Sequence, residues 1–291
     1  MNRLLGLLKK DFQLSRSTLL IPIWIVLGMF ALSLIMNMIA VIKGDISLAN
    51  LDLNFEKIKT MDEVVVGIGY AVNHLSVIVP GILGIIFSIS LANTALNDES
   101  QKNCVIFYRA QPISVWWTSF SKYFVSVFGT LAVVLIISIF YYFSWSLVFA
   151  FKVRPIWFAG LIGMIQSYLG FSIAIILIAS FAYFCSAVFK SKAFVKGLGI
   201  IIIITIVTSI FNALYGWNIP SLMSLIMKFF LHGAKSFKML EQPFNNSLSV
   251  LNKIIEINWN NIFSYNSLLK IIISGLFFGL GTFIYKNKEI K

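Results

Sequence analysis

From residue 197 to residue 217 the chain carries no charged side chain, and residues 200–204 are five consecutive isoleucines. A helix built from such a run is apolar on every face, so it has no side to turn toward water. A hydrocarbon layer of about 30 Å is crossed by roughly 20 such residues. Five further stretches have the same character, at 19–42, 64–96, 124–151, 156–189 and 268–285. With 59% of residues hydrophobic and 12% charged, no single water-soluble core could hide this surface. Barrel strands would alternate apolar and polar positions over about ten residues. Residues 133–143 do not alternate, so the spans are expected to be helices.

The resulting expectation is an all-α polytopic membrane protein forming one transmembrane domain over 1–291, multi-pass in a bacterial cell membrane. No basic stretch, short apolar core and small-residue cleavage site occur in that order, so the first span is expected to stay in the mature protein. The segments at 64–96 and 156–189 exceed the length a span requires. They are expected to tilt, to extend, or, in the first case, to kink at Pro80. With both termini on the inside, basic residues are denser there, including Lys190, Lys192 and Lys196 in one short loop, as the positive-inside rule requires. Both termini are therefore expected in the cytoplasm. The net charge of +12 is thus explained by topology, without nucleic acid as a partner.

Residues 1–17 place Leu4, Leu5, Leu8 and Phe12 on one helical stripe and Asn2, Lys9, Lys10 and Gln13 opposite, although Leu7 and Leu14 blur the pattern. This predicts an N-terminal amphipathic helix in the headgroup layer, with a plain extension of the first span as the alternative. Residues 43–63 read as a solvated connector. Within 218–267 the apolar run 222–231 is too short to cross, and predicts a re-entrant or interfacial helix before the sixth span. The asparagines at 245, 246, 252, 258, 260, 261 and 266 mark a polar, turn-rich return.

Catalytic chemistry finds no foothold. No glycine-rich run ends in Gly-Lys-Ser or Gly-Lys-Thr, the two histidines, His74 and His232, lie far apart, and no Gly-x-Ser-x-Gly elbow occurs. The expectation is no catalytic residue, no metal and no cofactor bound by this chain. Cys104 and Cys185 fall in a loop and in a span, so no disulfide is expected between them. The six spans contain no Asp, Glu or Arg, and Lys270 at an end is their one lysine, which disfavours coupling to protons or sodium. Asn73 and His74 admit two readings, lining a substrate path or bonding across a helix interface. Gln166, Tyr141 and Phe181 join them as candidate path residues, since an apolar, aromatic cavity suits amphipathic cargo. Gly275 and Gly279 have the spacing that permits close helix approach.

The loop 97–122 is the most informative stretch. Asp98 and Glu99 suit a helix N-terminus, and Pro112 suits the opening of the next helix. Between them Val105, Ile106, Phe107, Tyr108 and Arg109 place apolar and aromatic side chains in a cytoplasmic loop, as a partner surface would, or as a loop packed on headgroups would.

At this loop the chain resembles permeases of the ABC-2 exporter superfamily. The matching residues are Asp98, Glu99, then Pro112-Ile113-Ser114 and Ser121-Lys122-Tyr123. The opening Leu4 to Phe12, Leu-Leu-Gly-Leu-Leu-Lys-Lys-Asp-Phe, is similar to the leader of bacterial members. Val115 stands where many relatives carry a basic residue, so that group's contact is missing here. The resemblance implies six spans of the type V exporter-like fold and a second permease copy or paralogue forming a dimer. It also implies cytoplasmic ATP-binding-cassette ATPase subunits that hold ATP and Mg, and coupling through Asp98, Glu99 and Val105 to Arg109. It points toward exporters of amphipathic toxin or antimicrobial peptides, with drug, lipid or sodium export open within the same family. A membrane enzyme would need paired carboxylates or clustered histidines, and a channel a charge ring or filter repeat; the sequence displays neither.

Overall fold

The computed structural model describes residues 2–42, 62–97, 114–150, 155–216, 219–224, 226 and 247–287. The connector 43–61, the coupling candidates Asp98, Glu99, Val105, Ile106, Phe107, Tyr108 and Arg109, His232, and most of 222–231 lie outside them. Every long element among the described residues is helical: α1 (Asn2–Ile42), α2 (Asp62–Ser76), α3 (Ile78–Thr94), α4 (Val115–Phe124), a π turn (Val125–Gly129), α5 (Thr130–Ala150), α6 (Pro155–Val188), α7 (Ala193–Tyr215), α8 (Ser247–Ile262) and α9 (Tyr265–Asn287). Six stretches are long and apolar enough to cross a membrane, within 4–32, 66–94, 115–145, 157–188, 193–215 and 251–287. In lipid the backbone must satisfy itself, which only helices or closed barrels achieve. Buried hydroxyls follow the same rule by bonding back one turn, as Ser138 does to the Val134 carbonyl at 2.7 Å and Ser180 to that of Ile176 at 2.6 Å.

The bundle is organised around α6. On one side runs α2–α3, on the other α9, with α5 closing a third face. The three lines are parallel. Gly160 faces Gly69 and Asn73, Gly163 faces Tyr70 and His74, and Gly84 faces Ile175, so both sequence numbers rise together along the α2–α3 seam. Along α9, Phe277 meets Phe181 and Phe184, and Gly281 meets Tyr183 and Phe184. The main core therefore combines Ala92, Val134, Ile175, Ala179, Tyr183 and Tyr285 from four different lines. Gly275 and Gly279 take no part, since a Cβ at either would meet nothing within 4 Å. α7 hangs on the outside, packed chiefly on α6, with Ile202, Ile203 and Ile206 exposed.

Residues 2–17 and the first span form one helix, since α1 runs unbroken over 41 residues with Pro22 inside it. This corrects the separate interface helix in favour of the plain extension of the first span. The buried seam of α1 is Leu7, Asp11, Leu19, Pro22 and Val26, whereas Leu5, Phe12 and Leu14 are exposed. A lipid-facing side is itself apolar, so a leucine stripe does not mark the buried side; here the buried side carries an aspartate.

Between α2 and α3 the chain breaks at Val77, three residues before Pro80. Pro80 lacks the N–H that would bond the Ser76 carbonyl, and its ring crowds that same carbonyl, so α2 stops at Ser76 and α3 restarts at Ile78. The kink expected at Pro80 is present, displaced by the one turn over which a proline acts.

The 34 residues of α6 measure about 51 Å at 1.5 Å each, well beyond a hydrocarbon layer of about 30 Å. The excess lies at the end away from the chain termini, because Lys190 and Lys192 follow immediately at the other end. There the first dozen residues of α6 are flanked by α2 and α8. The helix α8 corrects the turn-rich return expected across 245–266. Asn252, Asn258, Asn260 and Asn261 sit within or at the edge of a 16-residue helix, whose Leu251 and Ile254 are buried against Tyr70 and Ala159. Docking of that apolar face outweighs the turn preference of asparagine.

Candidate functional site

At the far end of the bundle three helices are closed into a ring of neutral hydrogen bonds. Asn258 Nδ2 on α8 donates to the Tyr70 hydroxyl on α2 at 2.7 Å. Tyr70 donates to Gln166 Oε1 on α6 at 2.6 Å. Gln166 Nε2 returns to α8, donating to the Ile255 carbonyl at 2.9 Å. Tyr70 and Gln166 are buried, at 5% and 2% exposure, and every donor points the same way round. Hydrogen bonds aligned head to tail polarise one another, so the ring favours a single geometry.

One helical turn along α2, the polar face continues. Gly163 Cα approaches the α2 backbone so closely that a Cβ there would stand 2.6 Å from the Tyr70 carbonyl. At Gly160 it would stand 2.5 Å from Asn73 Nδ2. These two glycines let the helices touch, which brings His74 Nδ1 to 3.3 Å from the Gly163 carbonyl and Ser167 Oγ to 2.9 Å from the His74 carbonyl, to which it donates. A carbonyl can only accept, so this bond forms in the tautomer that carries its proton on Nδ1. The rings of Tyr70 and His74 stack with centroids 5.6 Å apart. Asn73 donates through Nδ2 to the Gly69 carbonyl at 2.9 Å, while its Oδ1 is buried with no partner among the described residues.

Three of the five path candidates, Asn73, His74 and Gln166, are thus brought together. Tyr141 and Phe181 are not. Tyr141 packs beside Leu19, Val26 and Ile137 at the α1 seam, and Phe181 sits between the rings of Phe194 and Phe277. Other aromatic side chains of the third span are dispersed likewise: Tyr142 donates to the Trp157 carbonyl at 3.0 Å, while Phe143 and Trp145 are exposed. Tyr70 and Asn258 carry the ring and were not singled out, because a tyrosine and an asparagine 188 positions apart leave no local signal.

A second polar set lies at the opposite end, near the termini. Ser121 Oγ on α4 donates to Asp11 Oδ2 on α1 at 2.6 Å, both side chains being buried. Two residues on, the hydroxyls of Tyr123 and Ser180 are 2.6 Å apart, tying α4 to α6. Asn93 Oδ1 on α3 accepts the Phe194 backbone N–H at 2.9 Å. It so satisfies a first-turn donor of α7, whose own preceding residue, Lys192, makes no side-chain cap. Ser119 Oγ and Thr282 Oγ1 are buried here without a partner among the described residues. Those residues include no group of three or more His, Cys, Asp or Glu able to hold a metal ion. Comparison of the chain with protein-family models, with curated proteins and with solved structures finds no match in any of the three.

Proposed function

We propose that this chain is the membrane subunit of an ATP-driven exporter of the ABC-2 kind, working as a dimer with ATP-binding-cassette ATPase subunits on separate chains and carrying amphipathic cargo, a peptide in first place. One observation carries the reading. The two sequence motifs that resemble that superfamily, the leader 4–12 and the Ser121-Lys122-Tyr123 entry to the third span, meet through the 2.6 Å bond between Asp11 and Ser121. From the same entry Tyr123 reaches Ser180. A push delivered to the loop before Ser114 therefore passes into α1 and α6 together, as a subunit without its own energy source requires. Drug, lipid or sodium export stands second within the same mechanism.

The test is purification of the chain from its native membrane, followed by reconstitution with and without its associated proteins. The expected result is a partner bearing a phosphate-binding loop and ATP-dependent movement of a fluorescent amphipathic peptide that stops without it. Transport or catalysis by the isolated chain would overturn the reading. Charge reversal at Glu99, or alanine at Phe107 and Tyr108, is expected to uncouple ATP hydrolysis from export; unchanged transport with normal partner assembly would remove the coupling role.

A further inference from the structure

We propose that α8 is a gate over the far mouth of the bundle, latched by the Asn258–Tyr70–Gln166–Ile255 ring and hinged at the turn between α8 and α9. The gate rests on the exporter reading for its purpose, although its mechanics can be measured without it.

Four features converge on this. The latch consists wholly of neutral hydrogen bonds, and the length of α6 sets them at or beyond the headgroup level. Water can replace each bond there as α8 leaves, which would be impossible within hydrocarbon. The apolar seat under α8 is one cluster: Leu251 and Ile254 rest on Tyr70 and Ala159, with Val66, Ile162 and Ile255 packed against them. The opposite face, Asn252, Lys253, Glu256 and Asn260, is exposed and suits water whether the helix is seated or lifted.

The hinge is formed already. α8 ends at Ile262 and α9 begins at Tyr265. Ser264 and Ser267 satisfy the Asn261 carbonyl with their hydroxyls, at 2.7 and 2.9 Å, so bending exposes no bare backbone acceptor at that carbonyl. Phe263 in the turn is 77% exposed, and its ring contact among the described residues is with Trp259 of α8 itself. What lifting uncovers is also specific. Tyr70 and Gln166 lose their partners on α8, so an open gate presents a neutral hydroxyl and a neutral amide to departing cargo.

Two measurements decide the matter. In the complete complex, the pair A159C/I254C is oxidised to bridge α8 to α6, and peptide export and ATP hydrolysis are followed before and after reduction. Export is expected to fall more than about tenfold in the bridged form and to return on reduction, since a gate that cannot lift passes no cargo. Normal export from protein shown by gel shift to be bridged would overturn the gate while leaving the exporter reading intact. Absence of export from the wild-type complex would instead sink that reading. The second measurement needs no transport. With I254C as a reporter in native membranes, labelling by a membrane-impermeant maleimide is expected to quicken by about tenfold when the ring is cut by Q166L or, independently, by N258L. Unchanged labelling in both variants would overturn the latch.

Discussion

Asp11 shows how a single side chain can be legible as a letter and misplaced as a structure. Read along the chain it belongs to a basic leader and counts as one more cytoplasmic charge. Folded, it is 6% exposed on the contact side of α1 and accepts from Ser121. Its partner is 110 positions away, so no local pattern reports it. A buried charge-assisted bond of this kind contributes about 1.5–3 kcal/mol, and losing one partner exposes the other to the full desolvation cost. D11A is therefore expected to lower the unfolding free energy in detergent by about 1.5–3 kcal/mol, and D11N by less because an amide oxygen still accepts from Ser121. The same scale fixes the start of α7. Lys192 adopts a left-handed backbone, φ 48° and ψ 42°, which glycine occupies without a Cβ penalty. K192G is expected to cost nothing or to stabilise by up to about 1 kcal/mol, whereas N93A, which removes the acceptor for the Phe194 N–H, should destabilise by about 1 kcal/mol. Thermal midpoints of purified protein check both signs.

Among the elements, spans were easier to foresee than seams. Uninterrupted apolarity announces a membrane helix, and six helical stretches overlap the six expected segments, although the first begins at Leu4 instead of Leu19 and the sixth at Leu251 instead of Leu268. Which side of each helix touches protein is a different matter. In water the apolar stripe and the buried face coincide, but in lipid both faces are apolar, and contact is marked by small or polar residues instead. The approach of α2 and α6 is written in Gly160 and Gly163, in sequence no more conspicuous than Gly275 and Gly279, where an added Cβ would meet nothing within 4 Å among the described residues. G163A is expected to be among the most damaging single-methyl changes, about 1–3 kcal/mol, because the obstruction is the rigid Tyr70 carbonyl at 2.6 Å. G275A should be silent in the same unfolding assay. The helix α8 was missed for the complementary reason: asparagine favours turns in isolation, and only docking on Tyr70 and Ala159 shows which preference prevails.

At the scale of the molecule, α6 supports nearly everything else. Lines α2–α3, α6 and α8–α9 run in the same direction, which requires an even number of crossings between their starts and agrees with the expectation that both termini share one side. Single cysteines at residue 2 and residue 287 should label together from the same side of sealed vesicles; labelling from opposite sides would break the parallel arrangement. The coupling segment 98–109 lies outside the described residues, so its role stands on sequence alone, while the polar ring was half legible: Asn73, His74 and Gln166 stand out as amides and imidazole in apolar surroundings. Their partners Tyr70 and Asn258 do not, because tyrosine is common in membrane helices and Asn258 is one of many asparagines in its stretch.

The π turn at Val125–Gly129 has a mechanical corollary. It holds one residue more than an α-helix of equal turn count, and such a surplus behaves like a dislocation in a crystal. It can glide along the third span by exchanging hydrogen bonds one at a time, with no segment ever unwound. Each residue the surplus passes is turned by about 100° and moved by about 1.5 Å along the axis. Ser121 and Tyr123 lie immediately before it. A surplus gliding past them would change which helices those two side chains grasp.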